Sequence, residues 1–200
     1  MSKEEKAFEY FRNSISDLQK DYFDPSTNDI FEYSLKSLWK THYHQNIKKI
    51  ILNFIKHNYQ IFNEDPTPPV IYILFSLNDK EINTIIQNIV IKQFIQEQAS
   101  EASTFTVLNI VDILADKTNI DDFVNDIIDA INHNMNEDMI SALSFFIINK
   151  NDKYIKQFIS KFKDLKKIDL IKELYKMFGR KIMLSLIESN DFNIIKKLNE

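Results

Sequence analysis

The run PVIYILFSLNDKEINTIIQNIVIKQFI, Pro69 to Ile95, decides how the rest of the chain is read. It opens with an apolar segment, breaks at Asn78-Asp79, and resumes as a second segment with periodic apolar residues. Counted from Asp79, apolar side chains stand at Val70, Leu74 and Phe75 before the break and at Ile82 and Ile86 after it. Steps of three, four and seven residues put side chains on one face of a helix of about 3.6 residues per turn. Asn and Asp compete for backbone hydrogen bonds, so they favour turns and helix N-termini over helix interiors. The stretch therefore predicts a helical hairpin.

The same spacing recurs. From Asp152 it selects Leu143, Ile147, Ile148, Ile155 and Ile159, and from Asp191 it selects Ile182, Leu186, Ile187, Ile194 and Leu198. Two weaker copies fill the intervals. One surrounds Lys117 (Leu108, Ile113, Ile120, Val124) and one surrounds His44 (Leu35, Trp39, Ile47, Ile51). A hairpin of two such helices cannot bury its apolar stripe alone, whereas stacking on the next hairpin does so. The expected architecture is all-α: a right-handed α-solenoid of about five helical hairpins. The alternative is a compact multi-helix bundle, because a chain that is 44% apolar satisfies some of these spacings in any helical fold. The whole chain is expected to form a single domain, with residues 1–26 as a capping helix and residues 27–200 as stacked hairpins. In it, Ile82, Ile155 and Ile194 should be buried at equivalent places.

Further helices follow from local chemistry. Ser2 and Glu5 have capping-box spacing at the head of an amphipathic segment that carries Phe8, Phe11, Ile15 and Leu18. Asp24-Pro25 ends that segment, because Pro disfavours a helical residue before it. Gln96–Ser103 and Asn132-His133-Asn134 read as connections. Gly179 follows the helical pattern Ile168–Phe178 in the usual C-terminal position.

The pattern resembles the HEAT and armadillo class of helical repeats. The likeness is carried by Pro69-Val70-Ile71-Tyr72-Ile73-Leu74-Phe75-Ser76-Leu77-Asn78-Asp79, similar to a Pro-containing first helix ending in a Leu-x-Asp turn. In the second helix Ile and Asn stand where the class has a basic residue and small alanines. The resemblance spans roughly residues 30 to 198, and implies an extended surface, formed by the second helices, that binds other proteins.

Composition removes several functions. With no Cys there is no thiolate nucleophile, disulfide or Cys-based metal site, and a single Gly argues against a Gly-rich phosphate loop. His42-x-His44 lacks the spacing that places two ligands on one helix face. Asp121, Asp122, Asp126 and Asp129 lack the Gly-containing loop of a calcium site. No cofactor, metal or catalytic residue is expected, and the protein is read as non-enzymatic. The charged Met1–Lys6 segment is followed by no apolar leader, and the longest apolar run is too short to span a bilayer. An intracellular location is expected.

Charge is segregated. Residues 97–140 hold ten acids and one base, whereas residues 141–200 hold thirteen bases and seven acids. Asp122, Asp126 and Asp129 share one helix face, opposite Phe123, Ile127, Ile128 and Ile131. Lys153 and Lys156 belong to the corresponding helix of the next repeat. These five residues are the expected contact surface for a protein partner. The reading from another class is nucleic-acid backbone binding by the Lys-rich segment, through Lys163, Lys166 and Lys167. It ranks second, because the chain is acidic overall and has only two Arg.

Overall fold

Helix-start chemistry opens the first two helices. In the computed structural model, which describes residues 1–92, 104–117, 119–132 and 137–198, the Ser2 hydroxyl accepts from the Glu5 amide at 3.1 Å. The Glu5 carboxylate in turn accepts from the Ser2 amide at 2.6 Å. This reciprocal cap satisfies two amides that have no partner inside the helix and starts α1, Lys3–Leu18. Asp24 caps α2 (Pro25–Leu38) by accepting the Thr27 amide at 2.8 Å, and Pro25 occupies the first turn, where its missing N–H costs nothing.

The remaining helices are α3 (His44–His57), α4 (Pro69–Ser76), α5 (Lys80–Ile89), α6 (Thr104–Lys117), α7 (Ile120–Ala130) and α8 (Glu137–Lys150). They are followed by α9 (Ile155–Asp164), α10 (Ile168–Phe178), α11 (Arg180–Glu188) and α12 (Phe192–Leu198). Short 3-10 turns at Tyr59–Asn63 and Asp152–Tyr154 flank α3 and α9. The fold is all-helical, with no strand among the described residues. The connection read at Gln96–Ser103, and His133 and Asn134 of the later break, lie outside the described residues.

The chain divides into two compact units. The first comprises Met1–Ile89 with Phe105–Lys117. There α1 lies along α2, α2 packs on α3 and α4, and α5 packs on α3 and α4. Its core includes Phe11, Phe31, Leu35, Ile51, Leu74 and Ile86, none of them exposed. A directional chain of hydrogen bonds ties the segment before α4 to α6. Asn109 donates to the Thr67 hydroxyl, Thr67 donates to Thr106, and Thr106 donates to the Glu64 carbonyl. The second unit comprises Val90–Thr104 with Thr118–Glu200. In it α7 packs on α9, α8 on α10, α9 on α10 and α11, and α12 on α10 and α11. Phe123, Leu143, Phe158, Phe162, Ile171 and Leu186 are buried there.

Ile82, Ile155 and Ile194 are all buried, as their spacing requires. The three Asn-Asp breaks are not alike. Asn78 and Asn190 are left-handed (φ 50° and 57°), a region that Asn tolerates better than most residues. At Asn190 the amide donates to Ile187 and the next amide, of Asp191, to Leu186, which closes the end of α11 as a Schellman motif. Asn151 is instead extended, and its own side chain caps the following turn by accepting from Lys153. The same dipeptide thus has a left-handed Asn in two copies and an extended, capping Asn in the third.

Two expectations need correction. In α6 the buried residues are Thr106, Val107, Ile110, Val111 and Leu114, while Leu108 and Ile113 are only half-buried. This helix is apolar over much of its circumference, so spacing alone does not select a face. Ile187 is 46% exposed, together with Leu184 and Phe192, so the stripe is incompletely covered in the last copy.

Lys166 also has a left-handed backbone (φ 58°), in the Schellman turn after α9 formed by Lys167 on Phe162 and Lys166 on Lys163. A β-carbon in this region costs about 1–2 kcal/mol, partly offset in a glycine variant by the freer unfolded chain. Lys166→Gly is expected to stabilise the protein by about 0.5–1 kcal/mol, read as a higher urea midpoint with an unchanged slope.

Candidate functional site

Asp122, Asp126 and Asp129 lie on the outward face of α7, all exposed, while Phe123, Val124, Ile127 and Ile128 are buried on the opposite face. Period alone produces this division, since residues three and four apart share a helix face. Asn119 starts the helix by accepting from the Asp121 amide at 3.1 Å. Acidic residues in the first turn also suit the positive end of the helix dipole.

The two lysines expected to continue this surface are engaged with carboxylates of their own unit. Lys153 lies in the turn before α9, 2.5 Å from Asp121, and its ammonium also stands over the Tyr154 ring. The buried Tyr154 donates its hydroxyl to the same Asp121 oxygen at 2.6 Å. Lys153 first, and the Tyr154 hydroxyl second, hold the Asp121 carboxyl below its usual value. Lys156 is 2.7 Å from Glu188 on α11. Asp121, which the spacing leaves outside the row, and Glu188 therefore neutralise the basic end of the expected surface. What remains on α7 is the exposed row of Asp122, Asp126 and Asp129, with the Lys161 ammonium donating to the Asp129 carbonyl at its end. No pattern in the sequence reveals the pairing, because its partners are over thirty residues apart.

The lysines of the nucleic-acid reading cluster at the C-terminal end of α9 and in the turn after it, where cations complement unpaired carbonyls. Lys163 is 2.5 Å from Asp191, whose side chain is only 15% exposed. Lys167 pairs with Glu137, and Lys166 is exposed in its left-handed turn. A phosphate approaching here competes with carboxylates for two of the three cations.

A related pair stands in the first unit. Lys48 on α3 lies 2.9 Å from both Asp79 and Glu81. Asp79 also accepts the Glu81 and Ile82 amides and so starts α5. The histidines are turned to different partners. His42 faces Glu4 at 3.3 Å, while His44 donates from Nδ1 to the Trp39 carbonyl at 2.7 Å. Among the described residues no group of three or more His, Asp or Glu is placed to hold a metal ion, and no helix is long and apolar enough to cross a membrane.

No family model, curated protein or solved structure matches the chain.

Proposed function

We propose that this chain is a non-catalytic, intracellular protein-binding scaffold, or a subunit of a larger assembly, built as a right-handed solenoid of helical hairpins. The observation that carries the reading is the exposed acidic row Asp122, Asp126 and Asp129, set on a helix whose other face is firmly packed. A rigid element with a row of exposed carboxylates presents a partner with fixed geometry and steers its approach. The packing order within each unit adds support. The α2–α4 and α3–α5 contacts in the first unit pair first helix with first and second with second, and the α7–α9 contact in the second unit pairs second with second. Stacked hairpins produce that order. Because Lys153 and Lys156 are neutralised within the unit, the partner segment for this face is basic.

The test is the triple reversal Asp122→Lys, Asp126→Lys and Asp129→Lys. All three positions are exposed, so the circular dichroism spectrum should not change. Binding of a Lys-rich amphipathic peptide of about fifteen residues, and of the partner purified from the native host, should weaken by about tenfold or more. Most of the loss should appear in the association rate, and it should be largest at low salt. The reading fails if the reversal leaves the partner bound while replacing Lys163, Lys166 and Lys167 by Ala abolishes retention of DNA or RNA.

A further inference from the structure

A second surface, in the first unit, has the opposite charge. The α3 segment HQNIKKIILNFIKH contains no acidic residue. Two grooves run along its flanks. One, of about 440 Å³, lies between α1 and α3 and includes Phe8, Arg12 and Ile15 on one wall and Lys49 and Ile50 on the other. The second, of about 380 Å³, is lined by Lys48, Lys49, Leu52 and Lys56 of α3 and by Glu81 of α5. Lys49 borders both, so the grooves meet across the helix.

The charges here differ in availability. Lys48 is held by Asp79 and Glu81, and Glu81 is the one acid lining either groove among the described residues. Arg12, Lys49 and Lys56 are exposed and form no ion pair with a described carboxylate. Between them lie half-buried apolar side chains: Phe8, Ile15, Ile50 and Leu52. Phe8 is held in place by stacking on Tyr43 at a centroid distance of 4.8 Å.

We infer that the face of α3 bearing Lys49 and Lys56, with its two flanking grooves, is a docking site for an acidic amphipathic helix. The cations meet its carboxylates, and Leu52, which lines the same groove as Lys49 and Lys56, meets its apolar stripe. Apolar side chains interleaved with lysines match a peptide helix laid into a groove. A nucleic-acid backbone would use the cations alone and gain nothing from the apolar side chains between them. The fourteen residues of α3 extend about 21 Å at the usual rise, so a partner helix of about four turns would span it. This site deepens the protein-binding reading with a second surface. Its probe has the opposite charge to the one for α7, so the two tests can fail separately.

The probe is a fluorescein-labelled synthetic helical peptide of about sixteen residues, with a Leu stripe flanked by Glu, titrated with the full chain and followed by anisotropy. Saturable binding in the micromolar range is expected, weakening by about tenfold or more with Lys49→Glu plus Lys56→Glu, and again with Leu52→Ser. Circular dichroism and melting curves of each variant confirm that the fold is retained. A peptide with Lys in place of Glu, or Ser in place of Leu, should bind at least tenfold more weakly. The proposal is overturned if the acidic peptide gives no saturable signal, or if the lysine reversals leave its affinity unchanged. It is also overturned if a single-stranded DNA of about twenty nucleotides binds in its place, sensitive to the lysine reversals and indifferent to Leu52→Ser.

Discussion

Phe31→Ala should cost the protein about 3–5 kcal/mol, the range for removing a buried aromatic ring and leaving a cavity. Phe31 sits on α2 with no exposed surface, its ring centroid 5.7 Å from that of Phe11 on α1, which is equally buried. Small residues at the same contact, Ala7, Ser14 and Ser34, are buried as well, so the two helices lie close and have little room to collapse into the void. Domains are commonly stable by only about 5–15 kcal/mol, so the loss should remove a large part of the total. The measurement is a urea titration followed by circular dichroism, paired with Tyr33→Ala. Tyr33 is two residues further along the same helix and 61% exposed, and its removal should stay within about 0.5 kcal/mol. Equal midpoints for the two variants would contradict the packing described for α1 and α2.

The second large effect is expected at Asp79. Its carboxylate starts α5 through two amides and holds Lys48, and the two side chains are only 14% and 18% exposed. Loss of a helix cap costs about 0.5–2 kcal/mol, and the Lys48 ammonium, left with Glu81 alone, also loses one of its two charge-assisted hydrogen bonds. Asp79→Ala is therefore expected to cost about 2–3 kcal/mol, and Asp79→Asn, which keeps a capping oxygen, less. The contribution depends on pH. Burial works to raise the Asp79 pKa, but the Lys48 ammonium and the Ile82 and Glu81 amides outweigh it and hold the group below its ordinary value of 3.8. A lowered folded-state pKa stabilises above the unfolded value, and that stability is lost as the pH falls through the folded value. Lys48 is shifted upward, by Asp79 first and Glu81 second, from its ordinary 10.5, so its share is complete below that value and is lost in more alkaline solution. The gap between wild type and Asp79→Asn should therefore be constant near neutrality and close below about pH 4. A gap that persists undiminished at pH 2 would show that the cap geometry, and not the charge, carries the effect.

Much of the helical layout was legible from local chemistry. The Ser2–Glu5 cap, the Asp24-Pro25 break and the turns at Asn78 and Asn190 depend on backbone amides and on residues a few positions away. The acidic row on α7 was legible for the same reason, because spacing along one helix decides which side chains share a face. α6 shows the limit. With apolar side chains on most sides, its buried face had to be chosen by neighbours such as Thr67 and the Glu64 carbonyl, which hold Thr106.

The sequence by itself determined an all-helical chain, the positions of most helix ends, and the charge carried by each segment. Those properties are set by interactions within about one turn of helix. Only the tertiary structure decided which charges remain available. It joined Lys153 to Asp121, Lys163 to Asp191 and Lys48 to Asp79 across 28 to 32 residues, and left Lys49 and Lys56 exposed along the grooves of α3. An ion pair needs its partners within a few ångströms, and only the packing of one helix on another brings residues so distant in the chain that close.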